Sequence, residues 1–301
     1  MSMLHDGLVV ASFGRHCLVE SGDGARRICH PRGKKSEVVV GDRVQWSSSG
    51  DEGAVESITE RRNLFYRQDD LRTKSFAANL DQVLVLVAAE PVFSQALLAR
   101  ALIAAHAQGI TPLIALNKQD LSEPFSRAWE RLAPYRAMGY TVLPLALRSS
   151  DAQASGLALL AQALDGHTTL VLGPSGAGKS TLINRLVPQA QAQTGEISQA
   201  LNSGRHTTTR TTWYWLDEAR RGALIDSPGF QAFGLQHIAA TDLARWMPDL
   251  AEHAGECRFA NCTHRHEPGC GVLQALQGGA IDASRHDIYS QLFDELTTSR
   301  Y

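Results

Sequence analysis

Residues 168–186 read TTLVLGPSGAGKSTLINRL, and few segments of that length leave a chain so little freedom of fold. Gly173, Gly178, Lys179 and Ser180 complete the pattern G-x-x-x-x-G-K-S, with Pro174, Ser175, Gly176 and Ala177 between them. Glycines let the backbone wrap closely around a phosphate, with successive N–H groups pointing inward. Lys179 brings positive charge toward the β- and γ-phosphates, and the Ser180 hydroxyl can ligate Mg²⁺. An apolar strand precedes the loop. A helix beginning with Ser180 and Thr181 follows it, and its N-terminus favours an anion. Such a strand–loop–helix unit belongs in an α/β domain built on a mostly parallel sheet.

A second motif, NKQD (Asn117, Lys118, Gln119, Asp120), ends the apolar run TPLIAL. An Asp carboxylate at that place accepts from both N1–H and the 2-amino group of guanine. Adenine lacks that donor pair, so Asp120 selects GTP over ATP. Asn117 orients the base and the loop, and the stem of Lys118 packs along the base plane. A third motif, LIDSPGF (residues 224–230), places Asp226 at the end of another apolar strand. There it can hold Mg²⁺ through a water, and the N–H of Gly229 can meet the γ-phosphate. Between the phosphate loop and this strand lies GRHTTTRTT, where Thr208 or Thr209 is the candidate switch ligand to Mg²⁺. The register between those two threonines stays open.

The order of these motifs is unusual. The base reader at residues 117–120 precedes the phosphate loop at 173–180, whereas an ordinary GTPase places it after. In an open parallel sheet all of these loops emerge at the carboxyl ends of the strands, whatever the chain order. A circular permutation therefore keeps the site and moves the termini. It also leads the chain from Gly229 directly into the C-terminal segment, so that the γ-phosphate state can bias how that segment sits.

The flanking regions differ in character. Residues 1–65 are rich in short apolar strands with Gly, Asp and Ser between them, which predicts a small barrel of the oligonucleotide-binding type. Residues 66–235 carry the α/β pattern, with the polar stretch 66–75 as its expected entry. Residues 236–301 hold Cys257, Cys262, His264 and Cys270, spaced C-x4-C-x-H-x5-C. Three thiolates and an imidazole fit a closed, structural tetrahedral Zn²⁺ site, with His253 and His266 as alternatives to His264. Zinc would staple a segment too small to be held by its own core. Cys17 and Cys29 read as buried thiols. The helical stretch 285–296 puts Ile288, Leu292, Phe293 and Leu296 on one face.

A formal net charge of −2 gives no global attraction to nucleic acid, so any RNA contact must come from a local patch. RRICHPRGKK (residues 26–35), expected on a barrel loop, is the candidate. The longest apolar run, VLVLVAA, is far too short to span a membrane, and the N-terminus has no signal-peptide pattern. A cytoplasmic protein, monomeric by default, is the expectation.

Taken together, the β-rich start, AANLDQV (residues 77–83), NKQD, GPSGAGKST, GRHTTT, DSPGF and the Cys/His cluster resemble the RsgA (YjeQ) family of circularly permuted GTPases that depend on the small ribosomal subunit. The resemblance implies an OB-fold, a permuted GTPase domain and a zinc domain. It further implies slow GTP hydrolysis stimulated by the 30S subunit and its 16S rRNA, and a role in late maturation of that subunit. It makes His206 the candidate to orient the attacking water, beside Lys179 as the charge on the phosphates. Ordinary small GTPases carry Gln after D-x-x-G, and here Phe230 stands there, so low intrinsic turnover is expected. Two departures stand out: many relatives have a longer basic N-terminal extension, and LALRSS (residues 145–150) replaces a Ser-Ala pair near the guanine. A GTP-gated RNA-binding module with little turnover is the alternative reading. An ATPase or small-molecule kinase is a third, and Asp120 argues against it.

Overall fold

A computed structural model describes residues 3–14, 16–32, 37–69, 72–149, 156–190, 210–227, 230 and 233–298. The chain opens with five strands: β1 (Leu4–Phe13), β2 (His16–Glu20), β3 (Arg26–Pro31), β4 (Arg43–Ser49) and β5 (Glu52–Ile58). They close in the order β1-β2-β3-β5-β4 and back to β1, with β3 and β5 parallel and the other pairs antiparallel. Closure removes the free edges that a five-stranded sheet would otherwise expose. The barrel has its own core of Val9, Cys17, Val19, Cys29, Val38, Val44, Trp46 and Val55. Cys17 and Cys29 face each other across β2 and β3 in that core, and burial pushes their thiols up to about 12 and about 11. They are inert packing groups in this environment.

A hairpin follows, β6 (Leu64–Gln68) and β7 (Thr73–Ala78). The expected boundary between residues 65 and 66 thus falls within β6, and the polar stretch anticipated as an entry runs through both hairpin strands. The basic stretch 26–35 also differs from the expected loop: its first half is β3. There Arg26 pairs with Glu20 at 2.8 Å and Arg27 donates to the Ser48 hydroxyl at 2.8 Å. Backbone pairing to β2 and β5 absorbs these residues because alternating side chains of β3 contribute to the barrel wall. Lys34 and Lys35 lie outside the described residues.

The α/β part comprises β8 (Gln82–Ala88), α1 (Gln95–Ala107), β9 (Thr111–Asn117), α2 (Ser122–Arg131), α3 (Ala133–Ala137), β10 (Val142–Leu145), α4 (Leu157–Leu164), β11 (Thr168–Leu172), α5 (Lys179–Leu186), β12 (Thr211–Trp215) and β13 (Ala223–Asp226). Strands β10-β9-β8-β11-β13 run parallel, and β12 adds antiparallel to β13. Every residue of β8 is buried, as a central parallel strand requires. Alternation sends Val83, Val85 and Val87 toward α1, and Leu84, Leu86 and Ala88 toward α4 and α5. The outer edge of β12 then pairs with β1 through Ala11–Thr212 and Ser12–Thr211, which joins the barrel to the nucleotide-type sheet.

Beyond β13 come a 3₁₀ turn (Ala240–Trp246), α6 (Pro248–Ala254), α7 (Gly271–Gln277) and α8 (Ala283–Thr297). Leu243, Met247, Leu250, Val272, Ile288, Tyr289 and Leu292 from this part share one core with Leu98 and Leu102 of α1. The predicted apolar face of α8 is as expected: Ile288 and Leu292 are buried, and Phe293 and Leu296 pack against the same core. At the seam, Arg285 forms a buried fork with Asp249 at 2.8 and 2.9 Å, and its guanidinium lies 5.1 Å from the ring centre of Tyr135 in α3. Arg100 of α1 binds Glu295 of α8 and also donates to the carbonyl of Phe233 at 3.2 Å.

Candidate functional site

The phosphate-type loop leaves β11 and enters α5 at Lys179, as its sequence predicts. It cannot be separated from the NKQD turn. Register alone brings them to one edge: Ala88 of β8 lies opposite Asn117 of β9, and Val171 of β11 lies opposite Asp226 of β13. Side chains then close the gap. The Asn117 amide donates to the Ala177 carbonyl at 2.8 Å, and its oxygen accepts from the Leu147 N–H at 3.2 Å. Asn117 is buried, so both bonds form away from water. Gly178 has φ +104°, and a Cβ there would stand 2.4 Å from the Asn117 amide nitrogen. Only glycine fits the loop 173–178 against the NKQD turn at that contact.

The neighbouring residues fall in place around this contact. Lys118 has φ +71° and donates through Nζ to the Glu90 carbonyl. Asp120 is exposed at the end of the turn. Ser180 and Thr181 are exposed on the first turn of α5. Lys179 is ion-paired with Asp226 at 2.6 Å, which ties the phosphate loop to the end of β13. The loop of residues 145–149 takes part through its backbone: Leu147 N–H binds Asn117, while Arg185 donates to the carbonyls of Leu147 and Ser149 at 3.3 and 3.1 Å. His206, Thr208, Thr209 and Gly229 lie outside the described residues. Phe230 is buried and packs 5.9 Å, ring centre to ring centre, from Phe233.

The Cys/His cluster is assembled within fourteen residues. The ligand atoms of Cys257, Cys262, His264 and Cys270 all lie within 4.8 Å of one another. Cys257 Sγ is 3.8 Å from Cys270 Sγ, and His264 Nδ1 is 3.3 and 3.6 Å from those two sulfurs. A tetrahedron with metal–sulfur bonds of about 2.3 Å has sulfur–sulfur edges of about 3.8 Å, so the donor set fits a four-coordinate ion. Burial pushes the Cys262 thiol up to about 12 and raises Cys270, so a cation is what would favour their thiolates. Burial also lowers His264, which keeps its imidazole neutral as a ligand must be. His253 points to Glu256 at 3.6 Å and His266 is exposed; neither joins the cluster.

Glu267 was not visible as part of this arrangement from spacing alone. Its carboxylate accepts from the N–H groups of Thr263 (2.8 Å), Arg265 (3.2 Å) and His266 (3.3 Å). Burial works against its charge, but these bonds and the Thr263 hydroxyl hold its carboxyl well below the usual range. The loop is further tied to α8 by His286 Nε2 on the His264 carbonyl and by the Tyr289 hydroxyl on the Thr263 carbonyl, each at 2.8 Å. An acidic residue in a cysteine-rich turn full of free N–H groups was the available signal.

A family model described as RsgA GTPase matches residues 58–236, more than half of the chain and the whole of the α/β part. The chain belongs to the RsgA GTPase family. It is a P-loop GTPase. It is 66% identical over 303 aligned residues to the small ribosomal subunit biogenesis GTPase RsgA of Variovorax paradoxus (strain S110), covering 99% of this chain and 95% of that one. Identity to the RsgA of Burkholderia pseudomallei (strain K96243) is 54%, covering 96% and 91%. Among solved structures, YjeQ from Thermotoga maritima superposes with a TM-score of 0.74 at 27% identity, covering 99% of this chain and all of that one. YloQ, described as a circularly permuted GTPase, gives 0.72 at 27%, covering 99% and 98%. The resemblance read from the motifs is therefore correct for family, and the barrel, permuted sheet and Cys/His module follow the expected architecture. Among the described residues no helix is long and apolar enough to cross a membrane.

Proposed function

We propose that this RsgA-family GTPase acts on the small ribosomal subunit during its late maturation, hydrolysing GTP in response to that subunit. The observation that carries the nucleotide half is the Asn117–Ala177 bond, which unites a guanine-type reader and a phosphate-type loop into one cleft. The ribosomal half rests on relatives that cover nearly the entire chain and are named for biogenesis of that subunit.

In this reading Asp120 accepts from the guanine edge, Lys118 flanks the base, and Asn117 braces both loops. The backbone of Gly173, Pro174, Ser175, Gly176, Ala177 and Gly178 wraps the phosphates. Lys179 exchanges the Asp226 carboxylate for β- and γ-phosphate oxygens when GTP enters. Ser180 and Asp226 would hold Mg²⁺, which when bound neutralises charge on those oxygens. Thr208 or Thr209 and Gly229 would close on the γ-phosphate, and Thr181 extends the phosphate cradle along the first turn of α5. Hydrolysis converts GTP and water to GDP and phosphate. The water needs a polar partner, and buried Phe230 offers none. His206 is the group proposed to supply it, brought into place on the 30S subunit and its 16S rRNA. The cluster of Cys257, Cys262, His264 and Cys270 is proposed to hold one structural Zn²⁺, since three sulfurs and one nitrogen suit that ion.

The burial of Phe230 also favours a second reading, a GTP-gated RNA-binding module with little turnover of its own. Multiple-turnover hydrolysis of GTP, with and without purified small subunits, separates the two. The primary reading expects a large rise with subunits, and a rate that stays flat sinks it. His206→Ala should remove the rise while leaving GTP binding intact.

A further inference from the structure

Among the described residues, Phe259 is the only aromatic side chain in the set of large apolar residues left exposed, at 40%. It stands at the tip of the turn between Cys257 and Cys262, where Arg258, Ala260 and Asn261 are exposed as well. The turn is held firmly. Arg258 N–H donates to the Gly269 carbonyl at 2.9 Å, and Cys262 N–H donates to the Phe259 carbonyl at 3.2 Å. The flanking cysteines belong to the metal-type cluster. The Arg258 guanidinium lies 5.4 Å from the ring centre of Phe259. A cation thus lies against a ring that keeps two-fifths of its surface exposed.

We propose that Arg258 and Phe259 form a stacking platform for an unpaired RNA base, Phe259 meeting the base face and Arg258 the adjoining phosphate. The inference rests on the reading that this chain acts on the small ribosomal subunit. A protein partner would need a wide apolar patch around the ring, but of the exposed residues flanking it in the turn, Arg258 and Asn261 are polar and only the single methyl of Ala260 is apolar. A nucleobase brings its own π-face and needs only one ring and one cation. Preorganisation favours the platform too, because the ring is already presented and little further ordering is lost on binding.

The test is equilibrium binding of the full, metal-loaded chain to purified small ribosomal subunits across a salt series. Wild type is compared with Phe259→Ala, Phe259→Leu, Phe259→Tyr and Arg258→Ala, with metal content and unstimulated GTP hydrolysis measured for each. The alanine and leucine variants should bind about 5–150-fold more weakly with an unchanged salt slope, and tyrosine should restore affinity. Arg258→Ala should lower the slope by about one. Leucine binding as tightly as wild type would reassign the ring to an apolar protein pocket and overturn the proposal, as would an alanine variant with undiminished affinity. A wild-type chain that fails to bind subunits at all would reject the ribosomal reading instead.

Discussion

The nucleotide-type cleft and the Cys/His module solve the same problem, convergence of a few polar groups, by opposite means. The cleft is built across long sequence distances: Asn117 reaches Ala177 and Lys179 reaches Asp226 only because parallel strands line up their carboxyl ends. Its precision comes from a buried sheet packed on both faces. The module gathers Cys257 through Cys270 locally, with Glu267 satisfying three N–H groups of the same turn. Between Cys257 and Cys270 only His264 and Cys270 are buried, and the turn is tied to α8 through His286 and Tyr289, so an ion held by the four ligands would supply much of its order. A site supported by a core should tolerate loss of its polar groups, whereas one supported by a ligand should lose its fold.

The sharpest way to break that contrast is Cys257→Ser. Structural zinc contributes about 10–16 kcal/mol in small peptide modules. The variant should lose bound metal and amide-exchange protection across α6, α7 and α8, yet keep GTP binding. Loss of GTP binding in parallel would show that the two regions form one cooperative unit. Next in size is Arg285→Met, which leaves Asp249 buried without its partner. Breaking such a pair costs about 3–5 kcal/mol, and thermal unfolding should report it as lost docking of the C-terminal helices on Tyr135.

Lys179→Ala probes the cleft itself. It should cut GTP hydrolysis by about 10²–10³-fold, in the range for removing one donor that stabilises developing charge, while unfolding temperature stays near wild type. A collapse in stability would mean that the Lys179–Asp226 pair is structural. The smallest effect belongs to Asn117→Ala, which strands the Ala177 carbonyl and the Leu147 N–H at a cost of about 1–3 kcal/mol. It should weaken GTP binding with no change in metal content, and an effect on the metal would contradict independence of the two sites.

Much of this arrangement is readable before any coordinates. The strand–loop–helix around Gly173 to Ser180 carries its own periodicity and glycines, and the four metal-type ligands carry their spacing. Other parts are not. The stretch 26–35 looks like a basic loop because charge dominates its composition, yet pairing to β2 and β5 makes its first half a strand. The polar run at 66–75 looks like a linker, yet the hairpin β6–β7 passes through it, with Phe65 and Phe76 packing against Phe233 beneath. In the first case one backbone partner, β5, is remote in sequence. In the second the hairpin is local, but the Phe233 ring that its aromatic residues pack on is remote, so charge and polarity hide both strands.

The amino-acid sequence by itself determined the chemistry: which residues suit phosphate, guanine and a thiophilic ion, and that the motifs run in permuted order. Those properties belong to side-chain type and short-range spacing, which survive any rearrangement of the chain. Tertiary structure alone decided which of them meet. The bond from Asn117 to Ala177, the squeeze that admits only Gly178, the choice of His264 over His253 and His266, and the open ring of Phe259 depend on distances between segments. Packing sets those distances, because a close-packed core fixes the positions of residues that the linear order leaves free.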